Sequence, residues 1–386
     1  MRKTAFILLI LFFLQGCRTP GRKFYPIGIY TVPNEKTFSD ARCAGFNTVL
    51  IYDTEPEVII EAEKLAERSG LKLVCYPGNY PSLDGSFDPN RVDPILNELR
   101  NSKNILAWYL YDEPEVHDLR SDHLYNFNLY IKERSPRIPT AFVVGNGEKY
   151  RNYAGCSDIA MLDWYPIPLY PLESIAHHIT ECRAYTGRDQ PIWMVLQAFD
   201  WTPFSETVRC KGTGRIPTFE ELRFMTFLSV VEGVDGLFYW AYRTPKDEWI
   251  ILDHPELWED LNKVVKELND YYAFLISKKR VEGVRVDENP TASRGRIRCL
   301  LKKVARSDLR RAVRINRSEI GDAIKAGYYL LAVNSSADSI EVTFSKVRVG
   351  NRNVEELFSG DILELKSGTI LDELSAYEVS LYYLGL

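Results

Sequence analysis

The 386-residue chain predicts an α/β fold, a (β/α)8 TIM barrel followed by a small all-β domain of sandwich type. Three observations carry that prediction. From Phe24 to about Ser277, eight short apolar runs alternate with helix-like stretches over roughly 250 residues, the usual size of such a barrel. No Gly-x-Gly-x-x-Gly or P-loop follows the first run, which removes the main reason to prefer a dinucleotide-binding sheet. Beyond about Lys278 the alternation stops, and strand-like runs separated by turn residues take over.

Taken in order, residues 1–17 read as a leader outside the fold. Arg2 and Lys3 precede the apolar run Ala5–Leu14, long enough for a signal core and too short to span a bilayer. Leu14-Gln15-Gly16-Cys17 resembles the bacterial lipobox, which implies cleavage before Cys17 and lipid on its thiol. Arg18, rather than an acid, follows the cysteine; by resemblance to Gram-negative lipoproteins the expected location is the outer membrane or cell surface. Residues 18–279 are expected to form the barrel and 280–386 the β-domain.

The eight runs are Tyr25–Val32, Thr48–Tyr52, Leu71–Tyr76, Ile105–Tyr111, Thr140–Val144, Ile159–Leu162, Ile192–Leu196 and Gly236–Trp240. Between them the clearest helices are Glu57–Ser69, with Val58, Ile59, Ala62, Leu65 and Ala66 on one side, then Asp93–Leu99, Glu220–Val231 and Trp258–Leu275. The later strands are Arg296–Val304, Tyr328–Asn334, Ile340–Phe344, Val354–Phe358 and Tyr377–Leu384, with no helix expected among them. The basic stretch Lys302–Arg317 reads as a solvated face.

Composition narrows the function classes. With 45% hydrophobic and 26% charged residues the chain is of soluble globular type, and a net charge of −5 argues against nucleic acid as a main partner. Past Cys17, no Cys-x-x-Cys pair occurs; most cysteines read as small hydrophobes, with a disulfide among Cys156, Cys182 and Cys210 left open. His177 and His178 are adjacent and point to different sides of a helix, so no metal site and no cofactor are expected.

The chemistry concentrates in Ile105-Leu-Ala-Trp-Tyr-Leu-Tyr-Asp-Glu-Pro-Glu115. An apolar strand buried on both faces runs straight into Asp112 and Glu113, and Pro114 ends the ladder. Two acids at the carboxyl end of a barrel strand stand where barrel sites form. The same positions on other strands collect polar and aromatic residues: Tyr30, Tyr52-Asp53, Tyr76 to Tyr80, Asp163-Trp164-Tyr165, Gln197, Asp200-Trp201 and Trp240-Ala-Tyr242. Aromatic faces stack on the C–H faces of sugars, while carboxylates and amides hold hydroxyls.

The Asp-Glu-Pro at the fourth strand end resembles the Asn-Glu-Pro of clan-A glycoside hydrolases, and Trp240 resembles the aromatic they place beneath the sugar. That resemblance, with the trailing β-domain, implies a glycosidase with Glu113 as general acid/base. Asp112 stands where the family has Asn, and Gln197 where it has the strand-seven nucleophilic Glu. An amide forms no glycosyl ester. Three repairs follow. Asp163, ahead of Asp200 and Asp53, could serve as second carboxylate, with an expected inverting separation of roughly 6.5–9.5 Å. The Asp112-Glu113 pair is also similar to that of substrate-assisted β-N-acetylhexosaminidases, which requires a bend or bulge to turn both acids inward. The third repair is a site that binds sugar without cutting it.

The expected function is therefore a surface lipoprotein hydrolysing an oligo- or polysaccharide. Glu113 is the acid, Asp112 and Gln197 orient, and Asp163 is the second carboxylate. Tyr30, Tyr52, Asp53, Asp200 and Tyr242 join the binding set, and Trp164, Tyr165, Trp201 and Trp240 form the sugar platform. A non-catalytic glycan-binding lipoprotein on the same barrel is the competing class; a mere spacer has no need of the clustered aromatics.

Overall fold

The computed structural model describes residues 24–187, 189–204, 214–278, 280–289, 296–316, 324–347 and 353–386. The leader, Cys17 and Cys210 lie outside them. Eight parallel strands close into a barrel in sequence order. They are β1 (Ile27–Tyr30), β2 (Thr48–Ile51), β3 (Lys72–Cys75), β4 (Ile105–Asp112), β5 (Thr140–Val144), β6 (Ile159–Asp163), β7 (Ile192–Gln197) and β8 (Gly236–Trp240). β8 pairs back onto β1 through Ile27–Leu237 and Ile29–Tyr239, which removes every open edge.

The outer helices are α1 (Glu35–Cys43), α2 (Pro56–Ser69), α3 (Pro89–Leu99), α4 (Ser121–Arg134), α5 (Ser174–Tyr185), α6 (Phe219–Val231), α7 (Pro255–Asp270) and α8 (Tyr272–Ile276). Their ends carry the expected signals. α2 starts on Pro56 and stops at Gly70, whose φ of 68° suits glycine. Thr218 and Glu221 bond each other's backbone N–H in a capping box that starts α6. Between β5 and β6 a 3₁₀ turn, Gly147–Asn152, stands in place of a helix. The expected single helix Trp258–Leu275 is two, broken at Tyr271.

After the barrel come β9 (Arg285–Asn289), β10 (Ile297–Val304), α9 (Arg306–Asn316), β11 (Gly327–Asn334), β12 (Ile340–Ser345), β13 (Asn353–Glu356), β14 (Ile362–Glu364), β15 (Ile370–Leu374) and β16 (Val379–Gly385). They make a five-stranded sheet, β10-β11-β16-β13-β14, and a three-stranded sheet, β15-β12-β9. Leu330, Ala332, Tyr382 and Leu384 of the first pack with Ile340, Val342, Phe344, Ile370 and Leu374 of the second. Two sheets over one core make the expected sandwich.

The basic stretch departs from expectation, because most of it forms α9 inside the β-region. Its apolar side includes Ala312, which is buried, while its basic residues turn outward, as 3.6-residue periodicity allows. Lys302 is not solvated either: its Nζ donates to the Phe274 and Leu275 carbonyls at the end of α8. Cys156 and Cys182 are free thiols, buried as small apolar groups, so they do not pair with each other.

The five-stranded sheet covers α6. Arg223 bonds Glu267 of α7 through Nε at 2.8 Å and the Val379 carbonyl of β16 at 3.2 Å. Phe227 meets Phe358 at 5.4 Å, and Phe224 meets Tyr377 at 5.0 Å.

Candidate active site

The register of β4 against β5 slips at its end. Tyr109 lies opposite Ala141 and Asp112 opposite Val143, so three steps on β4 match two on β5. That extra residue is a β-bulge, which bends a strand and re-aims its side chains. Glu113 then adopts φ 46°, a left-handed backbone that costs a non-glycine residue of order 1 kcal/mol. Its N–H still reaches the Val143 carbonyl at 3.1 Å. The bulge and the left-handed residue let neighbours in sequence both serve the mouth. Asp112 turns toward Tyr52 and Tyr76 at the ends of β2 and β3, and its Oδ1 accepts from the hydroxyl of Tyr109 on its own strand at 2.5 Å. Glu113 turns toward β5 and β6.

Gly145, just past β5, makes room for that turn. A Cβ there would stand 2.4 Å from Glu113 Oε1 and 3.6 Å from Asp163 Oδ1. Both carboxylates thus converge over one glycine, which holds Glu113 Oε1 and Asp163 Oδ1 within about 6 Å of each other. Glu115, two residues beyond Glu113, closes the group from the loop. Its Oε1 accepts from the Gly145 N–H at 2.6 Å and the Asn146 N–H at 3.3 Å.

The acids are poorly compensated. Asp163 is 7% exposed; its Oδ2 accepts from the Tyr165 hydroxyl at 3.2 Å, while its Oδ1 has no hydrogen-bond partner. Glu115 Oε2 is buried without a partner as well. Burial, then the charges of Asp112 and Glu115, push the Glu113 carboxyl up to about 8. Burial, then Glu113, Asp112 and Glu115, hold Asp163 well above the ordinary carboxylate range. Near neutral pH this cluster keeps at least one proton, as closely spaced buried carboxyls do.

Aromatic side chains wall the acids on two sides. On the β6–β8 side, Tyr165 lies 5.9 Å from Trp201 and 6.0 Å from Trp240, with Phe199 wedged 4.6 Å from Trp240 and Phe204 5.1 Å from it. Trp240 is half-buried, so part of its indole faces solvent. Trp201 buries an indole N–H with no partner. On the β1–β4 side, buried Tyr30 packs 5.4 Å from Tyr52, and Tyr109 lies 6.4 Å from Tyr52 and 5.1 Å from Tyr76.

The structure therefore gathers Asp112, Glu113, Asp163, Tyr30, Tyr52, Tyr165, Trp201 and Trp240 at one mouth. Four expected site residues point elsewhere. Gln197 is fully buried: its Oε1 accepts from Ile167 N at 2.9 Å, and its Nε2 donates to the Ile167 and Phe199 carbonyls. That amide pins the loop after β6 instead of orienting a ligand. Tyr242 is buried, with its hydroxyl bonded to Asp40 of α1. Strand alternation turns Trp164 outward, where its indole N–H bonds Ser174 and its ring packs 3.8 Å from His178. Asp200 accepts from the N–H and hydroxyl of Thr202 and shapes its own turn. Asp53, half-buried after β2, has Glu55 as its charged neighbour. Glu115, Gly145, Phe199 and Phe204 were not legible as site residues. Only Glu115 had a signal, its place in Asp-Glu-Pro-Glu.

No protein-family model matches the sequence, and no curated protein matches it. Solved structures do share its fold. A glycoside hydrolase superposes with a TM-score of 0.61 at 12% identity, covering 93% of this chain and 92% of that one. A glycoside hydrolase family 5 protein from Bacteroides vulgatus gives 0.60 at 12% identity over 93% and 89%. The protein AmyP, in complex with maltose, gives 0.55 at 10% identity over 94% and 97%. At such identities the likeness establishes a barrel followed by a β-domain.

Proposed function

We propose that this protein is a glycoside hydrolase acting on an oligo- or polysaccharide, with Glu113 as general acid/base and Asp163 as the second carboxylate. The observation that carries this reading is the convergence of those two acids over Gly145, between aromatic walls. A second carboxylate this close to the acid can serve as base to a water in an inverting route or as nucleophile in a retaining one. In the retaining route Glu113 donates its proton to the glycosidic oxygen as the Asp163 carboxylate bonds the anomeric carbon. Glu113, now ionised, takes a proton from water, and the hydroxide displaces Asp163. Two acids this close hold one proton between them near neutral pH; with it on Glu113, whose carboxyl is pushed up to about 8, Asp163 is left ionised as the nucleophile must be. The fold neighbours, among them a glycoside hydrolase and a protein in complex with maltose, support a saccharide at this mouth.

Turnover of aryl glycosides and natural polysaccharides, compared between wild type and Glu113→Gln, tests the reading. Full turnover by the variant sinks it. A second reading, glycan binding without cleavage, draws on Gln197: β7 brings no carboxylate to the mouth. It predicts no turnover, together with glycan binding that Trp240→Ala abolishes.

We also propose that residues 1–17 are a lipoprotein signal, that lipid on Cys17 anchors the chain to the outer membrane or cell surface, and that residues 18–279 and 280–386 are separate units. Membrane fractionation of wild type and Cys17→Ala tests the anchor; an unchanged membrane fraction overturns it.

A further inference from the structure

Beside the paired acids lies a second cavity of about 390 Å³, lined by Tyr52, Tyr76, Tyr80, Tyr111, Asp112 and His117. That volume is within the range of small-molecule sites. Its walls are phenol rings set at angles to one another. Tyr76 and Tyr80 are 5.3 Å apart at 45°, and Tyr80 and Tyr111 are 5.6 Å apart at 89°. Rings at such angles enclose the space from several sides. Sequence spacing does not announce this arrangement, because the rings come from three different strand ends.

Asp112 stands among them. Tyr109 donates to its Oδ1, and Tyr52 bonds it as well. Phenols solvate a carboxylate but do not cancel its charge. Among the described residues no Lys or Arg forms an ion pair with Asp112, and His117 is the one basic side chain lining the cavity. The next charged side chains, Glu113, Glu115 and Asp163, are acids and supply no cation, and Asp163 keeps a buried oxygen without a partner. A desolvated carboxylate lacking a counter-cation is unfavourable, and a ligand that brings the cation relieves it. Aromatic faces around a carboxylate suit an ammonium group in particular, since the ring quadrupole attracts the same charge. A uronate or sulfated sugar would meet four acids here. Among the described residues no group of three His, Cys, Asp or Glu side chains has the placement to hold a metal ion.

We infer that this cavity is a subsite for a sugar unit bearing a free ammonium group, with Asp112 as its counter-ion and Tyr76, Tyr80 and Tyr111 as its walls. The inference rests on the glycoside hydrolase reading above and names the substrate class of that site: a saccharide containing unacetylated amino sugar.

Titration calorimetry of the purified full chain tests it, using glucosamine oligomers, their N-acetylated counterparts and neutral glucose oligomers of the same length. The glucosamine oligomer should bind at least about tenfold more tightly than either other series. Asp112→Asn should erase most of that preference. Tyr80 is 44% exposed, so Tyr80→Leu spares the fold; it should weaken the glucosamine oligomer several-fold and the glucose oligomer by less. Equal binding of acetylated and free-amine oligomers overturns the inference, as does a preference that survives both substitutions. Ethanolamine competing as well as glucosamine would overturn the assignment to a sugar. Neutral saccharides bound or cleaved with no ammonium preference overturn this inference alone, whereas a mouth that binds no saccharide overturns the hydrolase reading with it.

Discussion

Asp163 at the barrel mouth and Glu356 in the C-terminal sheet are buried to almost the same degree, 7% and 5% exposed. Their surroundings are opposite. Glu356 is fully engaged: Oε2 accepts from Phe358 N at 2.9 Å and Ser359 N at 2.5 Å, and Oε1 accepts from Leu381 N at 2.8 Å. It ties the turn after β13 to β16, at the seam with the barrel. Asp163 has one phenol at 3.2 Å, an oxygen with no partner, and three acids for neighbours. A carboxylate saturated by backbone donors holds structure together, because each bond replaces one to water. An unsaturated one in a crowd of like charges weakens the fold, and its persistence in a cleft points to a task.

That contrast is open to direct attack, and its largest expected signature is kinetic. Glu113→Gln should lower kcat by about 10²–10⁴-fold on any glycan the wild type cleaves, as loss of a general acid does. Matched circular-dichroism spectra would show the fold intact.

The same substitution should raise stability at neutral and alkaline pH. Burial raises the Glu113 carboxyl from 4.5 to about 8, so the folded state binds a proton that the unfolded chain releases. Its contribution is fully present below 4.5 and is lost as pH rises through about 8. Denaturant unfolding should find Glu113→Gln the more stable protein at pH 8, by up to about 3 kcal/mol, with the gap closing toward pH 4.

Glu356→Gln should do the reverse. An amide nitrogen placed against backbone N–H groups leaves donors unpaired, which costs about 1–3 kcal/mol in an unfolding titration and little in turnover per folded molecule. If Glu356→Gln matched wild type in stability, the engaged carboxylate would lose its assigned structural role. The smallest effect is expected from Glu115→Gln, whose side-chain oxygen can still accept from Gly145 N. Removing its charge lowers the Glu113 carboxyl, so the alkaline limb of the pH–rate profile should move toward acid. A limb that stays in place would mean Glu115 does not act on Glu113.

Sequence and structure divide the site along a physical line. Alternating apolar runs and helical stripes are local patterns, so the eight barrel strands were legible, with ends adjusted by a few residues. α9 was hidden because its charged residues outnumber the few apolar ones, Leu309, Ala312 and Val313, that stand at helical spacing, and β9 because its alternation, Arg285-Val-Asp-Glu-Asn289, is mostly polar. The Asp-Glu-Pro motif and the inward-facing Asp163 were legible for the same local reason. A strand end carries only one inward position in two.

What the sequence alone determined is which residues reach the carboxyl ends of the strands, since strand length and alternation are written residue by residue. Which of them enter the mouth was decided by tertiary structure. The bulge between Tyr109 and Asp112 turned Glu113 onto Gly145, and neither the bulge nor the glycine's clearance exists before β5 pairs with β4. Gln197 and Tyr242 were drawn away by partners distant in the chain, the Ile167 backbone and Asp40, whereas strand alternation alone turns Trp164 outward. Long-range hydrogen bonds satisfy buried polar groups wherever the fold brings a partner, and no local pattern records where that will be.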